Sequence, residues 1–286
     1  MRAEQRDGSG AAAKAGGLRG YWALIGAQFQ AAFNDNAYEN LLMTLAAFGV
    51  AGAAGKDENV SFVLIVFTLP FMFSSPYGGQ LADRFSKRSV SIAVKLGEIG
   101  IMIAGCLALF SPEHLWVSLL VLGLMGVRAG IFGPSKYGIL PELVPEKKLS
   151  WANGVIELTT FVAIMGGTIA GIFLYWQFKA WLPGAMLPLM ALSVIGAWIA
   201  LGITKVPAAN PSRPIRLNAV KELWRYFGYA RRDRVLWLAV LGNAFKSAAD
   251  PELSLMAMPT YLGQILPVGV VGLLVAGMLA ADMGPG

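Results

Sequence analysis

An all-α polytopic membrane protein is the fold class predicted by three features of this 286-residue sequence. Hydrophobic residues make up 56% and charged residues only 14%, where a soluble domain carries about 25% charged residues. The apolar residues gather into runs near 20 residues long, enough for a helix to cross the hydrocarbon core of a bilayer. The basic residues fall in alternate loops, as expected when Lys and Arg are retained on the cytoplasmic side.

The elements follow in order. Residues 1–20 are charged and rich in Gly and Ala, without the apolar core or small-residue cleavage site of a signal peptide, and read as a disordered cytoplasmic leader. Six apolar runs form an N-terminal six-helix bundle over 21–204, with spans at 21–50, 60–81, 89–110, 115–139, 151–176 and 182–204. Residues 205–234 form a basic linker opened by Pro207, Pro211 and Pro214, which stop a helix continuing from the sixth span. Within it Leu217, Val220, Leu223, Trp224 and Phe227 recur at helical spacing, while Lys221, Arg225 and Arg231 are read on other faces. That pattern fits an amphipathic helix on an anionic leaflet or, equally, a solvated linker made basic by topology. Residues 235–286 hold two further runs, 235–262 and 267–281, and begin a C-terminal bundle.

Arg2, Arg6, Lys14 and Arg19 precede the first span, Arg84, Lys87 and Arg88 follow the second, Lys147 and Lys148 follow the fourth, and eight more basic residues occupy the linker. The opposite loops carry only Lys56 and Lys179. The N-terminus is therefore expected in the cytoplasm, and the net charge of +6 is a map of topology and not a sign of nucleic-acid binding.

Enzyme chemistry finds little support. The single cysteine, Cys106, lies in an apolar run, and the single histidine, His114, has no local partners, so no disulfide framework, metal centre, cofactor or hydrolytic triad is expected. Val50 stands where a phosphate-binding loop would need a glycine before Gly55-Lys56, which leaves ATP-driven pumping unsupported.

Charges inside the spans are the functional signal, because each costs at least ~2.5 kcal/mol to place near the bilayer centre. The run from Phe33 to Asn40 interrupts the first span with Asp35, Asn36 and Glu39; Glu98 lies in the third, Arg128 and Lys136 in the fourth, Glu157 in the fifth and Lys246 in the seventh. Buried ion pairs that hold a bundle together are one reading. The favoured one is a polar pathway that presents both signs of charge to a charged or zwitterionic solute. Gly126 and Gly130 on the fourth span and Gly167 and Gly171 on the fifth are spaced for close helix approach or for sliding. Pro70 and Pro134 are positioned to kink their helices.

The loop after the second span reads Gly79-Gln80-Leu81-Ala82-Asp83-Arg84-Phe85-Ser86-Lys87-Arg88. It resembles the signature G-x-L-a-D-r-x-G-r-k of the major facilitator superfamily, with Ser86 in place of the second glycine. The resemblance implies a twelve-span helix bundle of which about eight spans are present here, so the chain is expected to be C-terminally incomplete. It also implies a gating motif in which Asp83 braces a neighbouring helix end and Arg84 and Arg88 make charge contacts that open and close.

A narrower likeness rests on Phe132-Gly133-Pro134-Ser135-Lys136-Tyr137-Gly138, on Pro141-Glu142-Leu143-Val144-Pro145, on Ala152-Asn153-Gly154 and on Phe33-Asn34-Asp35-Asn36. These stretches are similar to the bacterial lysophospholipid transporters, a flippase family of the inner membrane that also occurs fused to an acyltransferase. The resemblance implies inward movement of lysophosphatidylethanolamine-like lipids for reacylation, with membrane lipids and a cytoplasmic acyltransferase as partners. It further implies headgroup contacts from Asp35, Lys136 and Lys246. A carboxylate suits an ammonium and a cation suits a phosphodiester. The alternatives are a general facilitator or exporter for a small charged or amphipathic solute, and a non-transporting membrane sensor. The acyltransferase itself is not expected on this chain, since its His-x-x-x-x-Asp pattern fails at Leu119, five positions after His114.

Overall fold

A computed structural model describes residues 4–48, 56–111, 115–212, 214–216, 218–234, 237, 238 and 241. The helices are α1 (Glu4–Phe48), α2 (Lys56–Arg84), α3 (Lys87–Ala108), α4 (Leu115–Gly138), the short α5 (Leu140–Leu143), α6 (Leu149–Phe178), α7 (Met186–Ala200) and α8 (Ala219–Ala230). Among the described residues there is no strand. Lys87–Ala108, Leu115–Gly138, Glu146–Phe178 and Leu182–Ala200 are each long and apolar enough to cross a membrane. The 45-residue α1 has ample length but is polar midway along its span.

Two boundaries differ from expectation. Helix α1 begins at Glu4, inside the segment whose composition suggests a disordered leader. Between Glu4 and Tyr21 no proline intervenes, and Ala11-Ala12-Ala13 favours helix, so the helix extends backward beyond the apolar run. The sixth span is mostly α7, which is 15 residues long and is preceded by a tight turn at Leu182–Ala185. Pro70 and Pro76 lie within α2 and Pro134 within α4, and each helix continues through its prolines as one element. The expected seventh and eighth spans lie outside the described residues save for Trp237, Leu238 and Leu241.

Helix α1 packs chiefly along α6 and α2 along α4, while α3 joins α4 to α7 and α7 returns to α1. Glycine makes the two long contacts close. A Cβ on Gly130 would strike the Phe71 carbonyl and the Ser74 hydroxyl, and one on Gly126 the Phe67 carbonyl. On α6 a Cβ at Gly167 would come within 2.9 Å of the Asn36 Cβ, and one at Gly171 within 3.0 Å of the Asn40 Cβ. Backbones at such separations gain dispersion contacts along their length, the main source of helix adhesion in lipid.

The apolar interior forms two separate cores. One gathers Tyr38, Leu41, Leu42, Met102, Leu122, Met125, Met186 and Leu189. The other, nearer the N-terminal end of α1, gathers Tyr21, Leu24, Val94, Phe132, Ile139, Ile156 and Ala200. Each of α1, α3, α4 and α7 contributes to both, and between them these helices bury the polar side chains Asn34, Asp35, Lys95, Glu98, Arg128 and Ser193. Tyr21 ties the second core together, its hydroxyl donating to the Ala152 carbonyl at 3.1 Å.

The segment after α7 lies against the turn between α2 and α3. Ser86 Oγ donates to the Val206 carbonyl at 2.7 Å, the Asn210 N–H to the Asp83 carbonyl at 2.8 Å, and the Arg216 N–H to Gln80 Oε1 at 2.6 Å. Ser86 has φ −57° and ψ 126°, an ordinary extended conformation open to any residue. The turn therefore does not need the glycine of the motif, and serine adds a bond to the linker.

Candidate functional site

The layer between the two cores holds a cluster of buried charge. Asp35 on α1, Lys95 and Glu98 on α3 and Arg128 on α4 are all buried, with Lys95 and Glu98 fully enclosed. Nη2 of Arg128 donates to both carboxylate oxygens of Asp35, and Nη1 donates to Glu98 Oε2 at 2.9 Å. Lys95 Nζ donates to the same Glu98 oxygen at 2.6 Å and also to Gln30 Oε1. Glu98 Oε1 accepts from Gln30 Nε2 at 2.9 Å, with Asn34 Nδ2 and Ser193 Oγ at 3.4 and 3.3 Å. Two carboxylates thus meet two cations, and on Glu98 neutral amides and a hydroxyl fill the remaining acceptor positions. Satisfaction of this kind lets ions persist away from water.

Helical geometry explains the convergence. Lys95 and Glu98 are three residues apart, so they share one face of α3. Gln30 and Asn34 are spaced by four on the α1 face toward α3 and α7, while Asp35, a further 100° round, meets Arg128. On α7, Gly196 leaves the room that Gln30 and Lys95 occupy; a Cβ there would strike Gln30 Oε1 and come within 2.9 Å of Lys95 Nζ.

The other sequence candidates sit elsewhere. Glu39 is buried one turn beyond Asp35 and has no hydrogen-bond or ion-pair partner among the described residues. Asn36 lies in the α1–α6 contact, donating to the Ala32 carbonyl at 2.9 Å. Its neighbour in sequence is in the cluster, but one residue of rotation takes Asn36 out of it. Lys136 belongs to a second polar tier, roughly 10 Å along α1 from Asp35 by helical rise. There its Nζ donates to Gln28 Oε1 at 3.2 Å and lies 4.7 Å from the centre of the Tyr137 ring. Gln28 also bonds Thr159 and Thr160 at 3.0 Å each. Exposed Glu157 accepts from the Tyr137 hydroxyl at 3.0 Å. Lys246 lies outside the described residues.

Near the C-terminal end of α2, Gly79 has open space where a Cβ would stand. The Arg84 guanidinium lies 5.6 Å from the centre of the Phe85 ring. Arg88 Nη2 donates to the Leu201 carbonyl at 2.9 Å, a cation on the C-terminal end of α7 where the helix dipole favours it. Lys87 makes an ion pair in this region, 2.5 Å from Glu142 at α5. Among the described residues, no group of His, Cys, Asp and Glu could hold a metal ion.

Lys95 and Ser193 were not among the sequence candidates. Lys95 stands two turns into the third span with Glu98 three residues on, and that spacing was the available signal. Ser193 is a lone hydroxyl in an apolar run and carries none.

Fold and site together define a multi-pass helical membrane protein with a charged layer between two apolar cores. Residues 24–284 match the model of the Major Facilitator Superfamily, and the chain belongs to that family. It is 33% identical over 270 residues to proteins of Salmonella paratyphi A, Salmonella agona and Salmonella typhi described as the lysophospholipid transporter LplT. The alignment covers 88% of this chain and 64% of each relative, so the chain spans about two thirds of their length. A crystal structure of a POT family transporter in complex with a thioalcohol-conjugated peptide shares the fold. Its TM-score is 0.54 at 17% identity, over 82% of this chain and 48% of that one.

Proposed function

We propose that this protein carries lysophospholipid from the outer to the inner leaflet of the bacterial inner membrane, by alternating exposure of a central charged cleft. The observation that carries the reading is the buried Asp35–Arg128 ion pair, held between the two cores. Ion pairs of this kind can open toward a ligand that offers the complementary charges. A phosphodiester replaces the carboxylate on Arg128, and an ethanolamine ammonium replaces the guanidinium on Asp35.

Lys136 supplies a second cation for the phosphate as it moves toward the cytoplasmic side, and Lys246 is assigned a third from the seventh span. Glu39 widens the acidic side of the cleft, and Glu157 lines its approach. The N-terminus is cytoplasmic, and the turn carrying Gly79, Asp83, Arg84 and Arg88 closes the bundle on that side. Delivery to the inner leaflet suits reacylation by a cytoplasmic acyltransferase. The similarity to relatives described as lysophospholipid transporters supports the substrate class.

Vesicles carrying the full protein test this directly. Lysophosphatidylethanolamine transfer that exceeds protein-free vesicles and is not matched by unrelated organic cations, with or without a proton gradient, is the expected result. Preferential, gradient-dependent movement of the unrelated cations would favour a general facilitator and overturn the lipid reading. Lysolipid binding in detergent without transfer in vesicles would favour a sensor.

A further inference from the structure

Asp35 and Glu98 share one guanidinium but hold it under different conditions. Glu98 is fully enclosed and is met by Lys95 and Arg128 on one oxygen and by Gln30 on the other, with Asn34 and Ser193 close by. Asp35 has a side chain 10% exposed, and among the described residues a single nitrogen, Arg128 Nη2, serves both of its oxygens. Arg128 Nε has no hydrogen-bond partner among the described residues.

Building on the proposed function, we infer that Lys95 and Glu98 are positioning residues that anchor Arg128, and that Asp35 is the partner that releases it when a headgroup arrives. A guanidinium presents its donors in a rigid fork, so one arm can stay bonded while the other changes acceptor. Nη1 stays on Glu98. Nη2 passes from Asp35 to a phosphate oxygen, and Asp35 accepts the ammonium in its place. Lys95 makes this workable by neutralising Glu98, so the anchor carries no net charge and Arg128 is not drawn wholly onto α3. The glycine at position 196, without which Gln30 and Lys95 would collide with α7, leaves space for the anchor.

The competing explanation is that Lys95 and Glu98 simply join α3 to the bundle. The double substitution Lys95→Met with Glu98→Gln separates the two, because it removes a neutral pair and leaves no new buried charge. In vesicles of phosphatidylethanolamine and phosphatidylglycerol, the double variant should accumulate and unfold much as the wild type does. Its KM for lysophosphatidylethanolamine should rise about tenfold or more, the effect of losing one charge-assisted bond in the bound state. An unchanged KM in the folded double variant would overturn the inference. If the double variant fails to accumulate, Gly196→Ala provides the same reading with every charge in place, since it displaces Gln30 and Lys95; raised KM supports the anchor and unchanged KM refutes it. Absence of lysolipid transfer by the wild type would instead overturn the function on which the assignment rests.

Discussion

Replacing Arg128 with methionine isolates the energetics of the central layer. The cluster balances the carboxylates of Asp35 and Glu98 against the cations of Lys95 and Arg128. Methionine keeps an apolar stem and removes the bonds to both acids. Glu98 still has Lys95 at 2.6 Å and Gln30 at 2.9 Å, so the loss falls on Asp35. A buried charge stripped of its partner costs about 3–5 kcal/mol. At roughly 2–4 °C per kcal/mol for a chain of this size, the single variant should melt roughly 6–20 °C below wild type. Adding Asp35→Asn restores charge balance and should recover about 2–3 kcal/mol, the coupling expected of residues in one network. The assay is thermal unfolding of the purified protein in detergent for wild type, both single variants and the double. Strictly additive effects of Asp35→Asn and Arg128→Met would show that the two residues are not paired in the folded protein, and would refute the cluster.

Three further outcomes follow from contacts outside that layer. Gly130→Ala forces a methyl against the Phe71 carbonyl and should destabilise the bundle by about 1–3 kcal/mol, whereas Gly133→Ala meets nothing within 4 Å and should be close to neutral; parallel melting curves test the contrast. Tyr21→Phe leaves the Ala152 carbonyl without its 3.1 Å donor and should cost about 1 kcal/mol, read by the same melt. Lys87→Met breaks a pair whose glutamate is 34% exposed, so it should cost no more than about 1 kcal/mol and less in high salt, which a salt titration of the melting point measures.

Much of the architecture is legible in the sequence because lipid imposes period and length on every span. The charged layer is legible in part for the same reason: an ion in a span is costly, and Asp35, Glu98 and Arg128 stand out against apolar neighbours. Lys95 does not stand out. It lies near the basic end of its span, where lysine is the ordinary topological residue; its three-residue spacing from Glu98 is the one sequence signal, and the contacts with Glu98 and Gln30 show its part. Asn36 fails in the opposite way, since adjacency in sequence groups it with Asp35 while the 100° step of the helix turns it toward α6. Glu157 and Lys136 carry the right charges, but on α6 and α4 they meet Tyr137 and Gln28, a tier apart from the cluster. Ser86 illustrates a motif position whose glycine is dispensable, because its backbone is extended and not left-handed.

The central claim is that Asp35 and Arg128 receive the headgroup of a lysophospholipid. Its most direct test is the rate at which labelled lysophosphatidylethanolamine crosses vesicles containing the full protein or its Asp35→Ala variant, at equal and verified amounts of folded protein. The account predicts transfer by the wild type and its loss in the variant. Full transfer by the variant would contradict it.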